Sequence, residues 1–193
     1  MTPLIQPSRS IHYFCTLMKN NRLDRLKSRV LPRLEHYLGS GGYVSHEFRD
    51  ELTIAIPRDR VLDVLAFMRD DPALSFIMLK DLCVVDWNRR RDRFDVVYNL
   101  WSLEHSFRLR VKIAVDERDP RVESVVGIFP SANWYEREAY DMHGIIFDGH
   151  PDLRRMYMPE DYVDPVSGEP VYPMRKEVPL MGVVGSLPLP ERI

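Results

Sequence analysis

Apolar positions along the first third of the chain fall into two kinds of period. Between 21 and 38, Leu23, Leu26, Val30, Leu34 and Tyr37 recur every three or four positions, which marks one face of an α-helix. Asn21 is placed to cap that helix, Gly39 to stop it, and Pro32 to kink it. Gly41-Gly42 then makes a turn. Segments 43–48 and 52–56 read as the two strands of a hairpin around Arg49-Asp50. A second helix is predicted from Pro57, with Val61, Leu62, Leu65 and Met68 as its apolar stripe and Asp71-Pro72 as its stop.

Further on, Leu82, Cys83, Val84 and Val85 predict a central strand, followed by a charged turn at Arg89-Arg90-Arg91-Asp92. Segments 94–103 and 106–115 read as long strands joined near Glu104-His105. In the second, Phe107, Leu109, Val111, Ile113 and Val115 alternate strictly with Ser106, Arg108, Arg110, Lys112 and Ala114, so one face is buried and the other is basic and wet. After 122–126 comes a helix over 132–143, with Ser131 as N-cap and Gly144 as C-cap. From Pro151 onward proline and glycine are frequent and no period survives. Yet Tyr157, Tyr162, Tyr172, Met174, Leu180 and Met181 make this stretch too apolar for a solubilising linker. It is expected to be extended and to lie along a partner.

This order of elements predicts an α+β fold, with helices packed on a mixed or antiparallel sheet and an extended irregular C-terminal tail. The expected organisation is an irregular N-terminal arm over 1–20, a domain over 21–156 and a docking tail over 157–193.

Composition narrows the function classes. The chain has 193 residues, 45% apolar and 29% charged, enough for one domain with a core. No apolar run approaches the roughly 20 residues of a membrane span, so any association with a membrane is expected to be indirect. A net charge of −2 argues against nucleic acid as the main partner. Cys15 and Cys83 are far apart and belong to no Cys-x-x-Cys pattern, which excludes a zinc or iron–sulfur framework built from them and suits two reduced thiols. The first 23 residues lack Asp and Glu, as transit peptides do, but they read here as the irregular arm.

Candidate chemistry concentrates on 132–143. Glu136 lies in the N-terminal half, where the helix dipole favours negative charge. Glu138 and Asp141 are three apart, and Arg137 and Asp141 are four apart and can pair. One reading makes Glu138, Asp141 and His143 a metal or proton-transfer cluster. The commoner one is an ion-paired helix that docks a partner through Trp134 and Tyr135, with Glu138 or Asp141 paired to Arg154 or Arg155. A turn at His150-Pro151-Asp152 is expected to bond backbone groups. The run Arg89, Arg90, Arg91 and Arg93 suits phosphate or, more commonly, a charged hairpin. Arg154-Arg155 and Arg175-Lys176 suit salt-bridge anchors at an acidic interface. No nucleotide fingerprint, nucleophile elbow or zinc-protease motif occurs.

Several separated blocks carry a resemblance. These are Leu82 to Asp86 with Arg93 to Leu100; Glu136-Arg137-Glu138, Asp141, His150, Arg154 and Met156; and the closing Arg175-Lys176-Glu177-Val178-Pro179-Leu180. Together they resemble the 30 kDa subunit of respiratory NADH:quinone oxidoreductase, the C-type subunit of complex I, over about Leu82 to Leu180. The chain departs from that pattern at His143, at Glu177 in place of Asp, and in a longer 163–172 segment. The resemblance implies a non-catalytic assembly subunit that binds no cofactor or metal itself, with FMN and iron–sulfur clusters in other subunits. It also implies packing on the 49 kDa-type (D-type) neighbour, with the cluster-bearing B- and I-type subunits nearby, on the inner face of an energy-transducing membrane: the cytoplasmic side in a bacterium, the matrix side in a mitochondrion. Alternatives are the equivalent subunit of a related hydrogenase or of a ferredoxin- or F420-dependent complex, and a free-standing enzyme using Glu138, Asp141 and His143.

Overall fold

A computed structural model describes residues 9–178 except Arg89 and Val166, with side chains described from Arg22 onward. The first helix, α1, spans Arg9–Leu38 and so begins well before Asn21. The irregular arm expected over 1–20 is therefore helical from Arg9, and its first eight residues lie outside the described region. Segment 9–20 contains no glycine or proline, and an asparagine inside a helix costs only about 0.7 kcal/mol relative to alanine, so Asn21 does not start the helix. Pro32 lies within it. Gly39, at φ 78°, ends it by donating its N–H to the Glu35 carbonyl.

Two strands follow, β1 at Val44–Phe48 and β2 at Glu51–Ala55, paired antiparallel. Arg49 and Asp50 between them both take positive φ (48° and 64°), as a two-residue turn matched to strand twist requires. A 3-10 turn at Arg58–Arg60 leads into α2, Val61–Asp70. Next come β3 (Met78–Asp86), β4 (Phe94–Ser102), β5 (Phe107–Val115), the short β6 (Arg121–Glu123), α3 (Ala132–His143) and β7 (Ile146–Asp148).

Five strands form one sheet in the order β1-β2-β5-β4-β3, antiparallel except for the β2–β5 pair, and β6 pairs with β7 in parallel. This mixed sheet with its helices is the expected α+β architecture. One placement differs: β3 is an edge strand and not a central one. Its apolar run is shielded by α3 packing against it, so a second strand is not needed to bury it.

The core lies on one face of the sheet. Phe107, Leu109, Val111, Ile113 and Val115 point into it from β5, while Arg108, Arg110 and Lys112 alternate on the other face. Leu23, Leu26, Val30 and Leu34 anchor α1 there, and Val61, Val64, Leu65 and Met68 anchor α2. Tyr37 stacks on Phe67 with ring centroids 4.3 Å apart, joining the two helices. Ser131 makes no capping bond to α3; its hydroxyl donates instead to the Leu79 carbonyl. Because Leu34 is fully buried, Leu34→Ala should lower unfolding stability by about 2–5 kcal/mol, read as a reduced midpoint in urea at unchanged slope.

Candidate functional site

Helix α3 carries its charges inward. Glu136, Arg137, Asp141 and His143 are buried together with Ala132 and Ala139, whereas Trp134 and Glu138 are exposed. Charged groups inside a protein must find partners, and Arg137 and Asp141 both do so within the chain.

Asp141 is the hub. One carboxylate oxygen, Oδ2, accepts the N–H groups of Met156, Tyr157 and Met158 at 3.0, 2.7 and 2.9 Å. The other, Oδ1, accepts Arg155 at 3.2 Å, an ion pair with both side chains almost wholly enclosed. Burial pushes the Asp141 carboxyl up, but the three N–H groups and Arg155 outweigh it and hold it below the usual range. Arg155 also donates to the Val171 carbonyl at 3.2 Å. The pairing anticipated between Arg137 and Asp141 does not form, and Arg155 takes that place on Asp141. Arg137 donates instead to the carbonyls of Arg154 and Arg155 at 3.3 and 3.2 Å, and its guanidinium lies 5.1 Å from the Trp134 ring. Arg154 is exposed and pairs with Asp152. Glu138 makes no ion pair with either arginine.

His150 fixes the turn that follows. Its Nδ1 accepts the Asp152 N–H at 3.0 Å, so Nε2 carries the proton and donates to the Asn133 carbonyl at 3.2 Å. Segment 150–158 is thereby held to both ends of α3.

A second buried pair was not legible as a site. Arg93, read with Arg89, Arg90 and Arg91 as suiting phosphate or a charged hairpin, is buried. It forms a bidentate pair with Asp86 at 2.8 and 2.7 Å and also reaches Glu117 and Glu177. Asp86 further accepts the Lys176 N–H at 2.9 Å. Burial raises the Asp86 carboxyl, yet Arg93 and the N–H groups of Lys176 and Asn88 hold it well below its ordinary value. The available signal was parity: Asp86 continues the inward series Leu82, Val84 of β3. Of the neighbouring arginines, Arg90 lies over the Trp87 ring, and Arg89 is outside the described residues.

The two clamps tie residues 170–178 to this domain, so this part of the expected tail is anchored on its own chain. The segment is irregular, as expected, but Val171 is buried, Met174 N–H donates to the Met142 carbonyl, and Arg175 donates to the His143 carbonyl at 2.7 Å. Arg175 also lies over the rings of Phe94 and Tyr172, so it is not a free interface anchor. Lys176 is exposed and bound through its backbone. Gly144 makes this fit possible. It is left-handed (φ 75°), and a Cβ there would meet the Tyr172 ring at 2.7 Å and Arg175 at 2.8 Å. Residues 179–193, the rest of the expected tail, lie outside the described region.

Glu138, Asp141 and His143 are not assembled into a reactive cluster. Both Asp141 oxygens are occupied, Glu138 faces solvent, and no group of three potential metal ligands exists among the described residues. No described helix is long and apolar enough to cross a membrane. Two further buried titratable groups lie on α3. Burial pushes the Glu136 carboxyl up to about 7, against the hydrogen bonds that it accepts from the Ser124 hydroxyl and the Val125 N–H. Burial holds the His143 imidazole down to about 4, with Arg175, Lys176 and Arg93 adding to the effect and Asp86 opposing it.

These two shifts act on stability in opposite directions. Glu136, whose folded value is above its unfolded one, contributes stability that is present below about 4.5 and lost as pH rises to about 7. His143, whose folded value is depressed, contributes stability that is present above about 6.5 and lost as pH falls to about 4. Within the shared window they offset each other. Glu136→Gln should therefore make the chain lose stability more steeply than the parent as pH falls from about 6.5 to about 4.5, measured by thermal unfolding in a buffer series.

Residues 54–184 match the family model described as "Respiratory-chain NADH dehydrogenase, 30 Kd subunit", a wider stretch than the resemblance from Leu82. The C-type subunit of NADH-quinone oxidoreductase from Roseiflexus sp. (strain RS-1) is 46% identical over 151 residues, covering 78% of this chain and 83% of the relative. That of Methylobacterium sp. (strain 4-46) is 50% identical over 135 residues, covering 70% of this chain and 59% of the relative, so this chain spans less than two thirds of that protein. Among solved structures, Nqo5 as a trypsin-resistant fragment (1-134) superposes with a TM-score of 0.57 at 35% identity, covering 64% of this chain and 98% of the fragment. A chain of the membrane-bound sulfane sulfur reductase, an archaeal respiratory membrane complex, gives 0.62 at 25% identity, covering 80% and 86%. The chain belongs to the family of the respiratory-chain NADH dehydrogenase 30 kDa subunit, the C-type subunits of NADH-quinone oxidoreductase.

Proposed function

We propose that this chain works as a non-catalytic subunit of the peripheral arm of NADH-quinone oxidoreductase, shaping the arm and supporting electron transfer from NADH to quinone without performing chemistry itself. The observation that carries this reading is the enclosure of Asp141: both of its carboxylate oxygens are engaged inside the chain, Oδ1 by Arg155 and Oδ2 by three backbone N–H groups. The buried charges of the signature helix are thus used to hold the chain to itself. Its exposed Trp134, Tyr157 and Met174 are left for neighbours.

In this reading FMN and the iron–sulfur clusters sit in other subunits. The chain packs on the 49 kDa-type subunit, with the cluster-bearing B- and I-type subunits nearby. The assembly lies on the inner face of an energy-transducing membrane, and residues 157–193 contact the neighbour, through the faces of 157–178 that the clamps leave exposed and through 179–193. A second reading, the equivalent subunit of a related respiratory membrane complex, is favoured by the likeness to the sulfane sulfur reductase chain. The free-standing enzyme is disfavoured because Asp141 is buried among its own partners while Glu138 faces solvent.

The test is Asp141→Asn. An asparagine turns an amide nitrogen, itself a donor, toward either Arg155 or the three N–H groups. Breaking this buried pair should cost the isolated chain about 3–5 kcal/mol. The amount of complex on a native gel should fall, while quinone reductase activity per flavin in the complex that remains stays at the parental level. Normal abundance with turnover abolished would sink the assembly reading and give Asp141 a chemical role.

A further inference from the structure

Between the edge strand β3 and helix α3 lies a groove of about 220 Å³. Its apolar lining includes Leu82 and Val84 from the strand, Ala139 and Met142 from the helix, and Met174 from the returning C-terminal segment. Asp81 and Glu138 also line it, on the strand side and the helix side, and neither is ion-paired among the described residues. The nearest hydrogen bond to Asp81 is a long one from Asn99 at 3.4 Å. The His143 ring lines it too, and its Nδ1 is buried without a partner. Met174 is 57% exposed, and Trp134, one turn before Glu138 on the same side of α3, is 60% exposed.

Resting on the assembly reading above, we propose that this groove takes one apolar side chain from a neighbouring subunit of the complex, on a segment that sets an arginine or lysine beside it against Glu138 and Asp81.

Each part of the groove selects for that occupant. A space of this size takes one Leu- or Phe-sized side chain. Two flexible thioethers, Met142 and Met174, can mould to it. Two carboxylates without an ion-pair partner among the described residues favour a cation over an acidic or merely apolar partner, most strongly once water is excluded from the contact. A second copy of this chain is a poor occupant of a symmetric contact: two such grooves face to face would set carboxylates against carboxylates. A metal ion is a poor one too, since no three ligands converge among the described residues. Trp134, beside the groove, has the character of an interface anchor.

Cys83, an exposed free thiol that lines the groove, reports on its occupancy. In a Cys15→Ser background, iodoacetamide should alkylate Cys83 in the isolated chain, and at least about tenfold more slowly in the purified native complex, as a dry contact requires. Glu138→Lys should leave the melting temperature of the isolated chain unchanged, since Glu138 is exposed and unpaired. It should also lower the amount of chain retained in the complex by about tenfold or more, with Glu138→Gln intermediate and more sensitive to salt. Equal alkylation in chain and complex would overturn the proposal while leaving the assembly reading intact. Protection of Cys83 with normal retention of Glu138→Lys would overturn the cation and leave an uncharged cover. Self-association of the isolated chain that protects Cys83 would assign the groove to a second copy and overturn the proposal. A parental chain found in no complex at all would instead overturn the assembly reading. If Glu138→Lys does not fold, retention of Glu138→Gln across a salt series decides: loss that deepens with salt supports the cation, and parental retention overturns it.

Discussion

A carboxylate removed from water must be neutralised where it sits, and Asp141 shows how much of a structure that single requirement can organise. Its two oxygens gather one guanidinium and three successive backbone N–H groups. The N–H groups belong to a segment without helix or strand, whose backbone would otherwise lack partners inside the protein. The same bonds that stabilise the charge therefore give residues 156–158 a unique conformation. Removing the charge would release both the arginine and the loop.

Asp86 repeats the principle at the other end of the returning segment. It holds Arg93 through two bonds and the Lys176 N–H through a third, while Glu177 closes on the same guanidinium. Between the two clamps the chain is guided by Arg175, which bonds the last carbonyl of α3 and lies between two aromatic rings. Gly144 is the steric condition for all of this, since any side chain there would occupy the space of Tyr172. An apolar, proline-rich segment is thus kept in place without secondary structure of its own.

Turning the charges of α3 inward has a consequence for the outside. The helix faces solvent with Trp134 and Glu138, beside an edge strand whose far side carries no further strand among the described residues. Buried ion pairs add little net stability once the cost of taking both charges out of water is counted. Here they set which side chains are left on the surface, and so what a neighbouring subunit meets.

The sequence alone determined the parts of the fold that follow from period and local chemistry. The 3.6-residue spacing of Leu23, Leu26, Val30 and Leu34, the strict alternation of β5, the Arg49-Asp50 hairpin and the Gly144 stop depend on near neighbours, and all are present. The start of α1 and the status of β3 were not legible, because neither a weak helix former at Asn21 nor an apolar strand run specifies what lies beside it. At the site, the signature named Asp141 and Arg155 together with equally plausible partners. Choosing among them took a loop that returns 15 residues later to bring its N–H groups onto one oxygen. The Asp86–Arg93 clamp and the burial of Glu136 and His143 likewise depend on groups far apart in the chain. Periodicity carries information about which side of an element faces inward. What a buried charge meets there is decided only when distant segments close around it and water is gone.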